Sequence, residues 1–237
     1  MKMAGKIYLI PMTLGDIPVE NVIPDIVKRI INSIDVYIVE NVRTTRRYLS
    51  KCGIEKPINE LVFFELNKFT KPHELEKYIE PIFQNQNIGI VSEAGIAGVA
   101  DPGAEIVKLA HKKGIQVVPL SGPSSIILAL SASGMNGQNF AFNGYLPVNS
   151  DERKKQILFL EKRSKTENQA QIFMETPYRN NQMIDDILSI CNLETNLCIA
   201  TDITLDTEFI RTQNIQLWKV NKPNLNKRPT IFIIMSK

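Results

Sequence analysis

Short apolar runs and stretches of helical spacing alternate through the first 147 residues. Ile7-Tyr8-Leu9-Ile10, Val36–Val39, Leu61–Leu66, Asn87–Val91 and Ile115–Leu120 are brief, β-branched or aromatic, and read as five strands. Between and after them, 23–31, 43–52, 72–83, 102–113 and 123–133 read as helices. Gly53 is placed to stop the second helix. The fourth has Asp101 as a candidate N-cap, Pro102 at its first position, Lys112-Lys113 in its last turn and Gly114 just beyond. Strand and helix in strict alternation imply a parallel α/β sheet.

The pattern then changes. After Gly144-Tyr145-Leu146-Pro147 comes a polar stretch, Asn149-Ser150-Asp151, which suits an interdomain joint. It divides the chain into an N-terminal α/β domain, 1–147, and a C-terminal α+β domain, 148–237. The second part reads as a helix over 151–163, a strand over Ala170–Met174, a helix over 178–191 and a strand over Leu197–Thr201. Three short β-like runs follow, at 207–211, 215–219 and 230–235, implying a partly antiparallel sheet. No internal repeat or low-complexity tract interrupts either part.

Composition narrows the function classes. With 43% hydrophobic and 22% charged residues the chain has an ordinary globular make-up, which excludes a disordered or collagen-like protein. No apolar run approaches the roughly 18 residues of a membrane span, and Met1–Lys6 passes into the first strand with no small-residue cleavage site, so no signal peptide is expected. Cys52, Cys191 and Cys198 form no CxxC, and with only His73 and His111 beside them no zinc site is expected. A reducing cytoplasm fits such a chain. The net charge of +3 is spread evenly, 15 basic against 14 acidic residues over 1–147 and 13 against 11 over 148–237. Binding of nucleic acid would therefore rest on a local patch.

Ligands of parallel α/β sheets bind where loops leave the C-terminal strand ends, and the unusual residues of this chain stand there. The loop after the fourth strand, 92–103, holds Gly95, Gly98, Gly103 and Pro102. Its glycines permit tight turns and close backbone approach to a ligand, and it also fits an ordinary long βα connection. It is not a P-loop, because Ala104-Glu105 stand where Lys-Ser/Thr is needed. No GxGxxG fingerprint exists either; Pro11-Met12-Thr13-Leu14-Gly15-Asp16 follows the first strand. After the fifth strand, Ser121-Gly122-Pro123-Ser124-Ser125 sets hydroxyls at a helix start, as a polar pocket or simply as a cap. Arg43, Arg46 and Arg47 share one helix face just after Glu40, a place for an anion such as an RNA phosphate or a plain solvated surface. Met174-Glu175-Thr176-Pro177-Tyr178-Arg179 joins a strand to a helix, with Thr176 as cap, Pro177 at the first helical position, and Glu175 and Arg179 paired or facing a cleft. No Ser/His/Asp or Cys/His triad can be assembled.

Taken together, these segments resemble the tetrapyrrole methylase superfamily of S-adenosylmethionine-dependent methyltransferases, and within it the branch that methylates a ribose of small-subunit ribosomal RNA. The likeness is carried by 8–11 with 14–16, Val39–Arg47, Ser92–Gly103, Pro119–Ser125, Leu130–Gly134, Phe140–Pro147 and Glu175–Arg179, in the family's order across nearly the whole chain. It implies a two-domain homodimer with S-adenosylmethionine, the methyl donor, folded between domains; no metal is expected, from the cysteines and histidines above. The donor site it implies comprises Leu14; Glu93, Ala94, Gly95 and Ile96; Ser121, Gly122, Ser124 and Ser125; Met174; and Pro229-Thr230. From their places at strand ends facing the expected cleft, Glu40 and Glu175 are the candidate bases, with Arg43 and Arg179 orienting an anionic substrate, and the shared helix face of Arg43, Arg46 and Arg47 is the candidate for meeting RNA. The chain departs from the family pattern in several places. Glu93 stands for Asp, Ile96-Ala97 for Thr-Pro and Asn41-Val42 for Asp-Thr; 65–69 lacks a His-rich segment, and the chain ends at Lys237 without the family's usual extension. These departures leave open a tetrapyrrole or other small-molecule acceptor, or a catalytically silent protein that binds the donor.

Overall fold

The computed structural model describes residues 5–67 and 69–236. Residues 1–4, which bear on the expected lack of a signal peptide, Lys68 within the 65–69 segment, and Lys237 lie outside them.

The chain forms two compact units that divide between Ser124 and Ser125. In the first, β1 (Ile7–Ile10), β2 (Val36–Val39), β3 (Val62–Glu65), β4 (Ile88–Val91) and β5 (Val117–Pro119) build a sheet in the order β3-β2-β4-β1-β5. Every pairing in it is parallel. The central β2 and β4 are buried at all four positions, as strands covered on both faces must be. Alternate residues go to opposite sides. Tyr37 and Val39 meet α1 (Asp25–Ile31) and α2 (Val42–Lys51) in one core, while Val36 and Ile38 meet α3 (Pro72–Phe83) and α4 (Gly103–Lys112) in the other. Gly89 makes room for this packing, since a Cβ there would stand 2.6 Å from Ile10 Cδ1 and 2.9 Å from Tyr37 Cδ1.

This arrangement positions a site. β1 and β4 are neighbours, yet the helices that follow them cover opposite faces, so the connections leaving their C-terminal ends lead to opposite sides of the sheet. Such a switch point opens a crevice at the carboxyl edge of a parallel sheet.

The second unit holds α5 (Ser125–Ser133), β6 (Phe140–Tyr145), α6 (Ser150–Glu167), β7 (Ala170–Met174), α7 (Asn180–Ile190), β8 (Asn196–Thr201), β9 (Phe209–Asn214), α8 (Ile215–Val220) and β10 (Thr230–Met235). Its sheet runs β6-β7-β10-β8-β9, with β6 parallel to β7 and the other pairs antiparallel. Helices α6, α7 and α8 bury Ile157, Leu160, Met183, Ile187 and Trp218 against Phe173, Phe232 and Leu197.

Several elements differ from the sequence reading. The sequence pattern groups a helix at 123–133 with the first domain; as α5 it packs against β8, β9 and β10 and belongs to the second compact unit. The polar stretch at 149–151 starts α6, with Asn149 accepting from the amides of Asp151 and Glu152. Phe140–Tyr145, given no element, pairs with β7 as a sheet edge. The supposed strand at 215–219 is helix α8, because the Asn214 side chain accepts from Leu217 N and caps it. The run at 207–211 begins its strand at Phe209. Helix α7 starts at Asn180, so Thr176 and Pro177 lie in a preceding turn and are neither its cap nor its first residue. Pro102 is the N-cap of α4, one residue later than expected, while the Asp101 carboxylate accepts from Gly98 N at 2.5 Å and Gly103 N at 2.6 Å.

Candidate active site

The crevice in the first unit is assembled by contacts between its loops. Backbone groups of Met12 and Gly95 bond reciprocally, Met12 N to Gly95 O at 2.8 Å and Gly95 N to Met12 O at 3.2 Å, tying the loop after β1 to the loop after β4. Gly95 has φ +71°, and a Cβ there would come within 3.3 Å of both Leu14 Cδ2 and Pro123 O. The loop after β5 joins through Gly122, which lies so close that a Cβ would stand 2.2 Å from Pro11 Cβ. From the other side the Tyr48 hydroxyl of α2 donates to Pro11 O at 2.5 Å. Leu14, Glu93, Ala94, Gly95, Ile96, Ser121, Gly122 and Ser124 thus occupy three loops at one sheet edge, whereas Ser125 begins α5 of the second unit.

Two carboxylates flank this edge. Glu40, at the end of β2, accepts from the Glu93 amide at 3.2 Å. Burial pushes its carboxyl above the ordinary glutamate value; the Glu93 amide opposes this, and the charges of Asp101 and Glu93 add to it. The Glu93 side chain accepts from the Thr44 hydroxyl at 2.6 Å. Asn41 caps α2 through Arg43 N at 2.9 Å and Thr44 N at 3.2 Å, so the amide that replaces a family carboxylate serves as helix cap. An open cavity of about 320 Å³ lies beside these groups, lined by Leu14, Asp16, Thr44, Arg47, Lys51 and Glu93 among others. Arg43, Arg46 and Arg47 are all exposed, and Arg46 sits over the Phe63 ring at 5.1 Å.

The remaining candidates gather at one end of the second sheet. Register pairs Ile231 with Met174, which sets Thr230 beside Glu175. The 175–180 turn is pinned to the chain before β10 by Asn180 Nδ2 donating to Arg228 O at 2.7 Å and Lys227 N to Pro177 O at 2.9 Å. Glu175 is buried and its Oε1 accepts from Arg179 Nη2 and from Thr176 N, both at 2.6 Å. Burial alone would raise this carboxyl, but Arg179 and the Thr176 amide outweigh it and hold it below the ordinary range. Oε2 of Glu175, Nε of Arg179 and Oδ1 of Asn180 are buried without a protein partner. Pro229 O accepts from Asp202 N at 3.0 Å, and Thr230 shares a hydrogen bond with Thr201.

Sequence reasoning missed Thr44, Tyr48, Asp16 and Lys51, whose roles come from long-range pairing. Among the described residues, no group of three or more His, Cys, Asp or Glu is placed to hold a metal ion, and no helix is long and apolar enough to cross a membrane.

Comparison with known proteins assigns this arrangement. Models of protein families give no match. The chain shares its fold with the methyltransferase CobJ, at TM-score 0.65 and 13% identity over 98% of this chain and 95% of that one. It shares it likewise with uroporphyrin-III-C-methyltransferase from Thermus thermophilus, at TM-score 0.57 and 14% identity over 98% and 94%. The fold is that of the tetrapyrrole methylases. Within that class, ribosomal RNA small subunit methyltransferase I of Bacillus subtilis is 34% identical over 211 residues, 87% of this chain and 67% of that protein. The protein of the same name from Thermotoga maritima is 31% identical over 208 residues, 87% of each chain. The chain belongs to the family of ribosomal RNA small subunit methyltransferase I, and it is a methyltransferase.

Proposed function

We propose that this enzyme transfers the methyl group of S-adenosylmethionine to a ribose 2'-hydroxyl of small-subunit ribosomal RNA. The observation that carries the reading is the match to the Thermotoga maritima relative over 87% of both chains, together with loops bridged at a parallel switch point. The residues present fit the donor in kind. Gly95, at φ +71°, and Gly122, where a Cβ would collide with Pro11, keep the backbone bare in these loops, Leu14 and Ile96 offer apolar contact, and Ser121, Ser124 and Ser125 are hydroxyl residues. Glu93 supplies an exposed carboxylate for amino or hydroxyl groups, and the family resemblance adds Met174, Pro229 and Thr230 as donor contacts. The bound donor supplies a methyl carbon activated by a sulfonium.

The protein's own part is to align, exclude water and take a proton. Glu40 is the better base of the two candidates, because its raised carboxyl holds a proton more tightly than an ordinary glutamate, whereas Glu175 is held ionised by Arg179. Glu40 receives the proton that the acceptor hydroxyl gives up. Arg43, on the helix that follows Glu40, orients the anionic acceptor, and within the second unit Glu175 fixes Arg179, the other candidate for that role. The three cysteines are unpaired thiols, which suits a cytoplasmic enzyme, and the family resemblance favours a homodimer.

The test is tritium transfer from labelled S-adenosylmethionine into RNA from a strain lacking the protein. The expected label resides in small-subunit ribosomal RNA, at a linkage made resistant to alkaline cleavage. Label confined to a small-molecule fraction would replace the reading with a tetrapyrrole-type acceptor. Tight donor binding without transfer to any fraction would make the chain a silent binding protein.

A further inference from the structure

Within this evenly charged chain one helix is a local concentration of positive charge. Helix α2 carries four basic residues and no acid, so outside it the chain nets −1 of its overall +3. Arg43, Arg47 and Lys51 follow at four-residue steps and form one stripe, each step spanning about 6 Å on a helix surface. All three are exposed. Arg47 and Lys51 line the cavity beside Leu14, Thr44 and Glu93, and with Arg46 and Ser50 they also line a second, outer hollow of about 580 Å³. Arg46 lies off the stripe with one face of its guanidinium towards the Phe63 ring. An exposed guanidinium plane is a surface on which an unpaired base stacks.

Two carboxylates oppose this stripe. Glu93 is engaged by the Thr44 hydroxyl. Asp16, from the loop after β1, forms an ion pair with Lys51 in which both side chains remain largely in water, 51% exposed for Lys51 and 90% for Asp16. Ion pairs so exposed are weak and yield to salt or to a competing anion.

Resting on the RNA reading above, we infer that α2 is the track of the acceptor strand: successive phosphates of a single-stranded RNA segment lie on Arg43, Arg47 and Lys51, and Asp16 is the counter-ion that occupies Lys51 until a phosphate displaces it. The local patch that nucleic-acid binding needs in a chain of nearly even charge is then the ten residues of α2, next to Glu40. Asp16 stands two residues from Leu14, so phosphate arrival at Lys51 releases the end of the same loop that would hold the donor.

The experiment measures equilibrium binding of small-subunit ribosomal RNA from the strain lacking the protein, across a salt series, alongside methyl transfer to that RNA. Arg47→Ala and Lys51→Ala are each expected to weaken binding several-fold and to raise KM for RNA by more than they lower kcat. Each should also flatten the dependence of log affinity on log salt by about 0.7, the value for one contact on a single strand. Asp16→Asn is expected to tighten binding, and the Asp16→Asn/Lys51→Ala double variant to behave as Lys51→Ala alone. Unchanged slopes and KM in Arg47→Ala and Lys51→Ala, with the wild type methylating the RNA, would place the track elsewhere and leave the functional reading standing. A double variant that keeps the gain of Asp16→Asn would show Asp16 acting by overall charge and overturn its role as counter-ion. A wild type that transfers label to no RNA removes both the reading and this inference.

Discussion

Glu40 and Glu175 show how environment separates two carboxylates of one chain. Glu175 is closed off by its ion pair with Arg179 at 2.6 Å and held below the ordinary range, which makes it a poor proton acceptor. Glu40 has one backbone donor against a burial that raises it. The sign of its linkage follows. A carboxyl raised in the folded state contributes stability below its unfolded pKa, and that contribution is lost as pH rises through the folded value. At neutral pH the ionised Glu40 therefore costs stability, and Glu40→Gln, which keeps an acceptor for the Glu93 amide, should be at least as stable as the wild type. Its kcat should nevertheless fall by about 10²–10⁴-fold, the usual worth of a general base, with donor affinity retained. The wild-type rate should decline on acidification through a limb above the ordinary glutamate value of 4.5, and the variant should lack that limb. Titration calorimetry, thermal melts and a pH–rate profile check the three parts. Full turnover by Glu40→Gln would remove the residue from the mechanism.

At the scale of elements, the crevice depends on how closely three loops approach. Pro11 is the centre of that packing: its carbonyl accepts from Tyr48, Met12 beyond it bridges to Gly95, and Gly122 lies against its ring. Gly122→Ala would place a Cβ 2.2 Å from Pro11 Cβ and 2.5 Å from its Cγ, with neither group on a flexible side-chain end. The strain expected is about 1–3 kcal/mol, seen as a lowered melting temperature. Because the displaced loop carries Leu14 and the Gly95 bridge, donor affinity by calorimetry should fall with it. A variant with unchanged melting and donor binding would show that the loops need not meet. These approaches were the part of the site that the sequence did not disclose. The strands of the first unit were legible because each is a short apolar run closed by a polar loop, and the loops were legible from their glycines and prolines. The pairings of Thr44 with Glu93, Lys51 with Asp16 and Met12 with Gly95 span 35 to 83 residues and leave no local pattern. Helix α8 was misread for a related reason. Ile215-Gln216-Leu217 alternates like a strand, and one side-chain cap from Asn214 decides for the helix.

For the molecule as a whole, the two units differ in how their cores are built. The first has a separate apolar cluster on each face of a fully parallel sheet, and the second has one large cluster under α6, α7 and α8. The sole tryptophan, Trp218, belongs to the second cluster; it is 1% exposed and its indole N–H donates to Leu197 O at 2.9 Å. Its emission therefore reports the second core, while far-ultraviolet dichroism reports the helices and strands of both. Ile38 is fully buried in the first unit, and Ile38→Ala should cost that unit about 2–5 kcal/mol by leaving a cavity in a close-packed face. Distinct cores imply distinct cooperative transitions. In urea, the dichroism of Ile38→Ala should split into an early and a late step, with the Trp218 transition coinciding with the late one at its wild-type midpoint. The converse variant, Phe173→Ala in the second core, should move the Trp218 transition and leave the other step in place. Should Ile38→Ala shift both signals together by the same amount, the two cores would unfold as one unit. Donor binding would then draw its stabilisation from the entire chain rather than from the loops of the first sheet alone.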